Sequence, residues 1–262
     1  MFPAFCTFEY MESKKSKLFL ILGGVFIANA LLAELIGGKI FSLEKSLGFT
    51  PAGIYFFGNH LPFNLTAGVL LWPVVFVLTD IINEYFGKRG VRFLSYFAVA
   101  IIGYAFVMIY FSIGLQPADF YITSQAKNGI PDMNNAFQYV FGQGLWIIAG
   151  SIVAFLIGQI ADVTVFQWIK RMTGEKKLWL RATGSTLVSQ LIDSFVVLFI
   201  AFYLSGVMSL KLVIGIGIVN YLYKFVVAIV LTPLLYLIHN RIDRYLGADL
   251  SKEMLDYAKN EA

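Results

Sequence analysis

Residues 18–40 read LFLILGGVFIANALLAELIGGKI, an apolar run in which the main polar side chains are Asn29, Glu34 and Lys39. A helix of about 20 apolar residues is long enough to cross the ~30 Å hydrocarbon core of a bilayer. No small-residue cleavage site follows the run, so it lacks the form of a removable signal peptide. We therefore predict a retained transmembrane helix here.

Apolar runs of similar length recur along the rest of the chain. The further predicted spans cover about 64–84, 92–115, 143–168, 182–207 and 212–239. The 262 residues are 58% hydrophobic and 14% charged, whereas soluble domains are roughly 45–50% apolar and about 25% charged. This composition excludes an ordinary soluble enzyme, and it excludes a disordered chain because disorder requires low hydrophobicity. The predicted fold class is an all-α polytopic membrane protein with six transmembrane helices.

The six spans form a transmembrane domain, 18–240, between an N-terminal arm, 1–17, and a C-terminal tail, 241–262. This leaves no room for a fused ATPase domain. Fifteen of the 20 Lys and Arg residues fall in the arm, the tail and the second and fourth connections, against four in the outer connections. Basic residues favour the cytoplasmic side, so both termini should be cytoplasmic. Two longer outer segments, 41–63 and 116–142, are either ordinary loops or a lid over a binding site.

Two opposite charges are expected at the same depth in neighbouring spans. The fifth and sixth spans run antiparallel, with Asp193 lying 15 residues before Met208 and Lys224 lying 13 residues after Lys211. At 1.5 Å per residue, both lie about 20 Å from the outer turn, close to the bilayer midplane. Since an isolated charge is costly in hydrocarbon, we predict an ion pair, which is either structural or part of a substrate cavity.

Other polar side chains lie inside the spans, where each needs a partner, water or a ligand. Besides Asp193 and Lys224, the candidate substrate-binding residues are Asn29, Asp80, Gln159, Asp162, Ser185, Gln190 and Asn220. Polar faces on this many helices predict a central polar cavity. Asp162 with Gln159, three residues apart on one helix face, is the preferred ligand-reading pair. Neither Asp162 nor Asp80 has an obvious cation at its own depth, and Asp80 ranks second because it ends its span.

Metal, redox and catalytic chemistry have little support in the sequence. The chain has one cysteine, Cys6, and two histidines, His60 and His239. A single cysteine excludes an internal disulfide and a cysteine-based metal site. No Gly-x-x-x-x-Gly-Lys-Ser/Thr loop for ATP is present. We expect a protein that is not an enzyme, that needs no metal or cofactor, and that does not contact nucleic acid directly.

Four blocks of sequence share a recognisable pattern. The first, LLWPVVFVLTDIINEYFGKRGVR (70–92), ends an apolar span in Asp and continues through Gly into a basic cluster. The second, IGQIADVTVFQWIK (157–170), has a Gly-Gln-x-x-Asp core. The third, LWLRATGSTLVSQLIDSFVVLFIAFY (178–203), has Ser-Thr and a mid-span Asp. The fourth, NYLYKFVVAIVLTPLLY (220–236), has a mid-span Lys and a later Pro. In this order, the blocks resemble the queuosine precursor transporters, formerly grouped as vitamin uptake transporters.

The resemblance implies uptake of the deazaguanine intermediates of queuosine synthesis, 7-cyano-7-deazaguanine and 7-aminomethyl-7-deazaguanine, for tRNA modification, across a bacterial inner membrane. The alternative is a membrane-embedded substrate-binding component of an energy-coupling vitamin importer, which is similar in size and span count. The chemistry fits a deazaguanine, since its two parallel N–H donors can be accepted by one carboxylate. Aromatic side chains such as Phe155 or Phe166 could stack on its flat ring. The energy source and a possible homo-oligomer stay open.

Overall fold

The computed structural model describes residues 13–37, 39–50, 54–56, 59–61, 63–142, 145–173, 177–204, 206 and 208–260. Within these residues, five helices are long and apolar enough to cross a membrane. The chain is therefore a multi-pass, all-α membrane protein, as its composition predicts. Most of the N-terminal arm, with Cys6, lies outside the described residues.

The helices comprise a set of long helices and a set of short ones. The long helices are α1 (Lys14–Ile36), α3 (Trp72–Ile113), α6 (Leu145–Thr173), α7 (Leu178–Leu198) and α8 (Leu210–Leu246). The short helices are α2 (Leu43–Ser46), α4 (Asp119–Ile122), α5 (Met133–Phe141) and the C-terminal α9 (Ala248–Asn260). A π-helical segment (Phe199–Tyr203) continues α7, and 3-10 turns lie at Ala67–Leu70 and Ala126–Asn128.

Four short strands lie between α1 and α3, which the sequence analysis did not predict. They form two nested antiparallel pairs, β1 (Ile40–Ser42) with β4 (Asn64–Thr66) and β2 (Ile54–Phe56) with β3 (Asn59–Leu61). The described residues of the segment predicted to be outer, 41–63, thus include strand pairs. Gly68 follows β4 and lies against α1, where a Cβ atom would be 2.5 Å from the carbonyl oxygen of Ala33. A larger residue would therefore push this segment away from α1.

The α3 helix is broken at Gly87 and folds back on itself. Gly87 has φ 66° and ψ −174°, a conformation that is essentially restricted to glycine. Thr79 and Ser95, on either side of the break, both donate to Oε1 of Gln159, over 3.2 and 3.4 Å. In a straight helix these two residues would be about 24 Å apart. The two halves of α3 therefore lie side by side.

The two halves, a first arm at 72–86 and a second arm at 88–113, correspond to the second and third predicted spans. The connection expected between those spans is thus a sharp glycine turn. The predicted count of six crossings requires each arm to cross the bilayer separately. That count stays a prediction, whereas the five long apolar helices are observed.

The start of α1, the Gly87 turn and the end of α8 meet at one end of the helices, which we call the basic end. Lys14 at the start of α1 donates to the carbonyl oxygen of Leu246 over 3.3 Å. Tyr85, next to the turn, donates to Oδ1 of Asp243 over 2.7 Å. These contacts agree with the predicted topology, in which the N-terminal arm, the second connection and the tail share one side. That this side is cytoplasmic stays a prediction.

Candidate substrate site

A cleft with an empty volume of about 470 Å³ opens between the first arm of α3, α7 and α8. Its polar lining residues are Asp80, Thr183, Thr186, Gln190, Lys224 and Thr232. Its apolar lining residues are Trp72, Pro73, Phe76, Val77, Ala182, Ala228, Leu231 and Leu235. The structure thus brings three of the predicted site residues, Asp80, Gln190 and Lys224, to one cleft. We call it the Asp80 cleft.

Asp80 is the carboxylate of this cleft, and its side chain is only 4% exposed. Ser185 and Thr186 on α7 donate to its two oxygens, each over 3.4 Å. These distances exceed the usual 2.5–3.0 Å of an O–H···O bond, so the two contacts are weak. Among the described residues, no cationic side chain lies within 4.0 Å of Asp80. The carboxylate therefore keeps acceptor capacity for a ligand.

Gln190 adds an amide group to the cleft, four residues beyond Thr186 on α7. Its Oε1 atom is buried and has no hydrogen-bond partner among the described residues. Buried polar atoms are nearly always hydrogen-bonded, so an exception needs an explanation. A ligand that donates a hydrogen bond inside the cleft would supply the missing partner.

Lys224 and Asp193 form the ion pair that the sequence predicts, and it joins α8 to α7. Their side chains are 10% and 13% exposed, so the pair is mostly sequestered. Lys224 lines the cleft, whereas Asp193 does not. The cleft therefore contains the carboxylate of Asp80, which has no cationic partner in the part of the chain that the structure describes, together with an ammonium group that Asp193 neutralises.

Asp162 and Gln159, the pair that the sequence ranks first, lie outside the lining of this cleft. Asp162 is fully buried. Its Oδ1 accepts from Ser189 over 3.1 Å, while its Oδ2 has no partner among the described residues. Gln159 lines a second cleft of about 240 Å³ between α6 and the second arm of α3. The ranking of Asp162 above Asp80 stays a prediction, and Asp80 is the one of the two carboxylates that lines the Asp80 cleft.

The remaining predicted residues are not all brought to the cleft. Ser185 is buried and makes one of the two weak 3.4 Å contacts to Asp80. Asn29 bonds the backbone of its own helix, donating to a carbonyl over 2.8 Å. Asn220 is half-buried on α8, one turn before Lys224. Neither asparagine lines the Asp80 cleft, so their assignment to the site stays a prediction without a described contact.

Two aromatic residues of the cleft, Trp72 and Phe76, were missed by the sequence analysis. They precede Asp80 by eight and four residues, so all three side chains lie on one face of the first arm. That spacing is a signal that could have identified them. Phe155 and Phe166, which the sequence suggested as stacking residues, lie instead in the core, 3% and 0% exposed.

A second polar group consists of Glu84, Lys170 and Arg181, and we call it the basic cluster. Glu84 lies one helical turn beyond Asp80 on the first arm. Arg181 at the start of α7 donates to both oxygens of Glu84. Lys170 near the end of α6 lies 3.4 Å from the Oε2 atom of Glu84. All three side chains are at most 1% exposed. Lys170 and Arg181, which the sequence places in a cytoplasmic connection, therefore bind the helices together at the basic end.

The Asp80 cleft can bind a flat ligand that carries hydrogen-bond donors. The carboxylate accepts paired N–H groups, Lys224 and the threonines can donate, and the aromatic walls can stack. Across the described residues, no three His, Cys, Asp or Glu side chains form a group that could hold a metal ion.

Comparison with known families supplies the identity of the chain. The family model described as "Putative vitamin uptake transporter" matches residues 66–238. This range spans both arms of α3, α6, α7 and most of α8. The chain belongs to this family. The resemblance inferred from four sequence blocks is therefore confirmed.

Relatives within the family are named as transporters. A "Probable queuosine precursor transporter" of Bacillus subtilis (strain 168) is 32% identical over 178 residues, or 66% of this chain and 72% of the relative. A protein of the same name from Haemophilus influenzae is 28% identical over 193 residues, or 72% of each chain. The "Queuosine precursor transporter" of Escherichia coli (strain K12) is 30% identical over 171 residues, or 65% of this chain and 70% of the relative. These names support a transport role. No solved structure matches the chain significantly.

Proposed function

We propose that this family member imports the queuosine precursors 7-cyano-7-deazaguanine and 7-aminomethyl-7-deazaguanine across the bacterial inner membrane. The observation that carries the proposal is the carboxylate of Asp80, which borders an aromatic cleft and has no cationic partner among the described residues. The names of the relatives supply the substrate class.

The proposed binding mode matches each edge of a deazaguanine with a group in the cleft. Asp80 accepts the ring N–H and the neighbouring amino group as a fork. Lys224, which has three donors and uses one for Asp193, donates to the ring carbonyl. The amide of Gln190 accepts a further N–H. Trp72 and Phe76 stack on the flat ring, as aromatic side chains do in base pockets.

We further propose six crossings, with the arms of α3 crossing separately and both termini in the cytoplasm. The contacts of Lys14 with Leu246 and of Tyr85 with Asp243 support this arrangement. A cysteine introduced at residue 89 in a Cys6→Ala background should be shielded from an impermeant reagent in intact cells. A cysteine at residue 127 should be labelled. Labelling at residue 89 from outside would contradict the topology.

The function is tested by reconstituting the purified chain alone in liposomes preloaded with unlabelled 7-cyano-7-deazaguanine. Labelled ligand outside should enter by exchange, and an excess of unlabelled 7-aminomethyl-7-deazaguanine should compete. Liposomes without protein and liposomes with Asp256→Asn, an exposed residue of α9, serve as controls. Absence of exchange by the folded chain would contradict the proposal.

The alternative, a substrate-binding component of an energy-coupling vitamin importer, is kept because the matching family model is described as a vitamin uptake transporter. It predicts ligand binding by the purified chain but no exchange until partner subunits are added. A cellular test complements the liposomes. A strain unable to make the precursor should form queuosine-modified tRNA from external precursor only when it expresses this chain.

A further inference from the structure

A buried carboxylate beside the Asp80 cleft has no role in the binding mode above. Asp162 is fully buried in the middle of α6, and its Oδ2 atom has no partner among the described residues. A buried ionised carboxylate with an unsatisfied oxygen is costly. A bound proton, a bound cation or an ordered water would offset that cost, and we consider the proton here.

Asp162 and Asp80 are held by the same face of α7. Ser189 donates to Asp162 over 3.1 Å, and Ser185, four residues earlier, lies 3.4 Å from Asp80. Residues four apart on a helix are separated by about one turn, or ~5–6 Å. The two carboxylates are therefore close neighbours in a setting with little water.

The other charged groups around Asp162 are neutralised by nearby partners or lie further off. On α7, Asp193 is paired with Lys224. At the basic end, Glu84 is paired with Lys170 and Arg181, and Asp243 is held by Tyr85 and Ser251. On α1, Glu34 contacts Ser151 of α6, 11 residues before Asp162. Arg92 on the second arm lines the second cleft, and the π-helical segment packed on α6 carries no charge. Asp80 is thus the neighbouring charge that would repel an ionised Asp162.

We infer that Asp162 is the proton-binding site that couples ligand import to proton entry. The inference rests on the proposed function. Two neighbouring carboxylates repel each other when both are ionised in a low-dielectric site. A proton on Oδ2 of Asp162 removes one charge, so Asp80 can remain ionised and accept the N–H fork of the ligand. Proton and ligand therefore favour each other's binding, and this coupling is reciprocal.

The proton follows a simple balance in this scheme. It is taken from water by Oδ2 of Asp162 when the site faces outward, and the same O–H bond breaks when the site faces the cytoplasm. One proton enters with each ligand. The second cleft reaches Gln159, one turn from Asp162, and the Nε2 atom of Gln159 is also buried without a partner among the described residues.

The test uses the full chain in liposomes with labelled 7-cyano-7-deazaguanine and the membrane potential clamped at zero. Exchange at equal pH on both sides measures transport without a driving force. An acidic exterior then measures coupling, and a sodium gradient at equal pH is the third condition. One proton per ligand gives about tenfold accumulation for each unit of pH difference, since each tenfold ratio corresponds to about 1.4 kcal/mol. Either orientation of the protein in the liposome gives the same equilibrium ratio.

Asp162→Asn is the decisive variant, because the amide keeps an acceptor for Ser189 and mimics the neutral acid in shape. We expect it to retain exchange and to accumulate no ligand under the pH gradient, while Asp256→Asn accumulates ligand as the wild type does. Ser189→Ala, which keeps the carboxylate, should accumulate ligand but shift the pH of half-maximal uptake. If Asp162→Asn does not fold, Ser189→Ala provides the test instead.

Each other outcome overturns the inference in a distinguishable way. Exchange by the wild type without accumulation under a pH gradient removes proton coupling and leaves the proposed function intact. Accumulation by Asp162→Asn places the proton elsewhere, and an unchanged pH profile in Ser189→Ala does the same. Accumulation driven by sodium assigns sodium as the coupling ion. Absence of exchange by the folded wild type contradicts the proposed function itself.

Discussion

The first arm of α3 carries two acidic residues four positions apart, Asp80 and Glu84, which have opposite surroundings. Glu84 is enclosed by Lys170 and Arg181 in the basic cluster. Asp80 borders a cleft and is contacted only by two hydroxyls at 3.4 Å among the described residues. One turn of helix thus separates a carboxylate whose charge is fully compensated from one whose charge is not.

This difference separates a structural role from a ligand-binding role. Burial is nearly the same, 1% exposure for Glu84 and 4% for Asp80, so burial alone does not distinguish them. The deciding feature is which cations and hydrogen-bond donors contact each carboxylate. A buried charge with two cations attached holds helices together, whereas a buried acceptor with weak partners is available to a ligand. The predictions below test this contrast, from the largest expected effect to the smallest.

The largest effect is expected from Asp80→Asn. The substitution replaces an acceptor oxygen with a donor, and sites built on hydrogen bonds reject mismatched partners by up to ~10⁴–10⁵-fold. Binding of 7-cyano-7-deazaguanine to the purified variant, measured by calorimetry, should fall steeply while the protein stays monodisperse. Asp162→Asn is the matched comparison and should bind the ligand as the wild type does. Loss of binding in Asp162→Asn, with retention in Asp80→Asn, would restore the order that the sequence suggests.

Glu84→Gln should lower the free energy of unfolding without changing which ligand the protein binds. Removing one partner of a buried ion pair leaves uncompensated charge and costs about 3–5 kcal/mol, here from Lys170 and Arg181. For a chain of this size, that loss lowers the midpoint of thermal unfolding by roughly 6–20 °C. Glu253→Gln is the control, since Glu253 pairs with Lys15 at the exposed surface and such pairs contribute little. Equal midpoints for the two variants would contradict a structural role for the basic cluster.

The Asp193–Lys224 pair should behave in an intermediate way, because it is slightly exposed and touches the cleft. Asp193→Asn or Lys224→Met alone should lower the unfolding midpoint, by less than Glu84→Gln does. The double variant should recover much of the stability, since neither charge is left alone. Because Lys224 is proposed to donate to the ligand, exchange in liposomes should remain low in the double variant. Full recovery of exchange would make the pair purely structural.

The sequence predicted the contact that depends only on how deep each residue lies along its helix. Asp193 and Lys224 lie on consecutive antiparallel helices, so counting residues from their shared turn places them together. The basic cluster was not foreseen, because Glu84 lies 86 residues from Lys170 and 97 from Arg181. Contacts over such separations depend on how three helices pack, and no periodicity records that packing.

The candidate site shows the same limit. The sequence identified Asp80, Gln190 and Lys224 as polar residues within spans, and the cleft contains all three. It ranked Asp162 above Asp80 because Asp162 lies beside Gln159 whereas Asp80 ends its span, but depth could not tell which carboxylate faces the cleft. Which carboxylate faces the cleft depends on how α6 and the first arm are rotated about their own axes. Rotation is set by packing against α7, where Ser185 and Ser189 hold the two carboxylates.

The smallest effect concerns the turn that separates the two arms. Gly87 has a backbone conformation that strains residues with a Cβ atom by about 1–3 kcal/mol, so Gly87→Ala should lower the unfolding midpoint modestly. Gly103→Ala is the matched control, because Gly103 lies in the second arm with open space around its Cβ position and alanine favours a helix. Gly103→Ala should leave the midpoint unchanged or raise it. The turn positions Glu84 against Lys170 and Arg181. Gly87→Ala combined with Glu84→Gln should therefore lower stability by less than the sum of the single effects. Equal behaviour of the two glycine variants would show that the reversal of α3 does not depend on the conformation of Gly87.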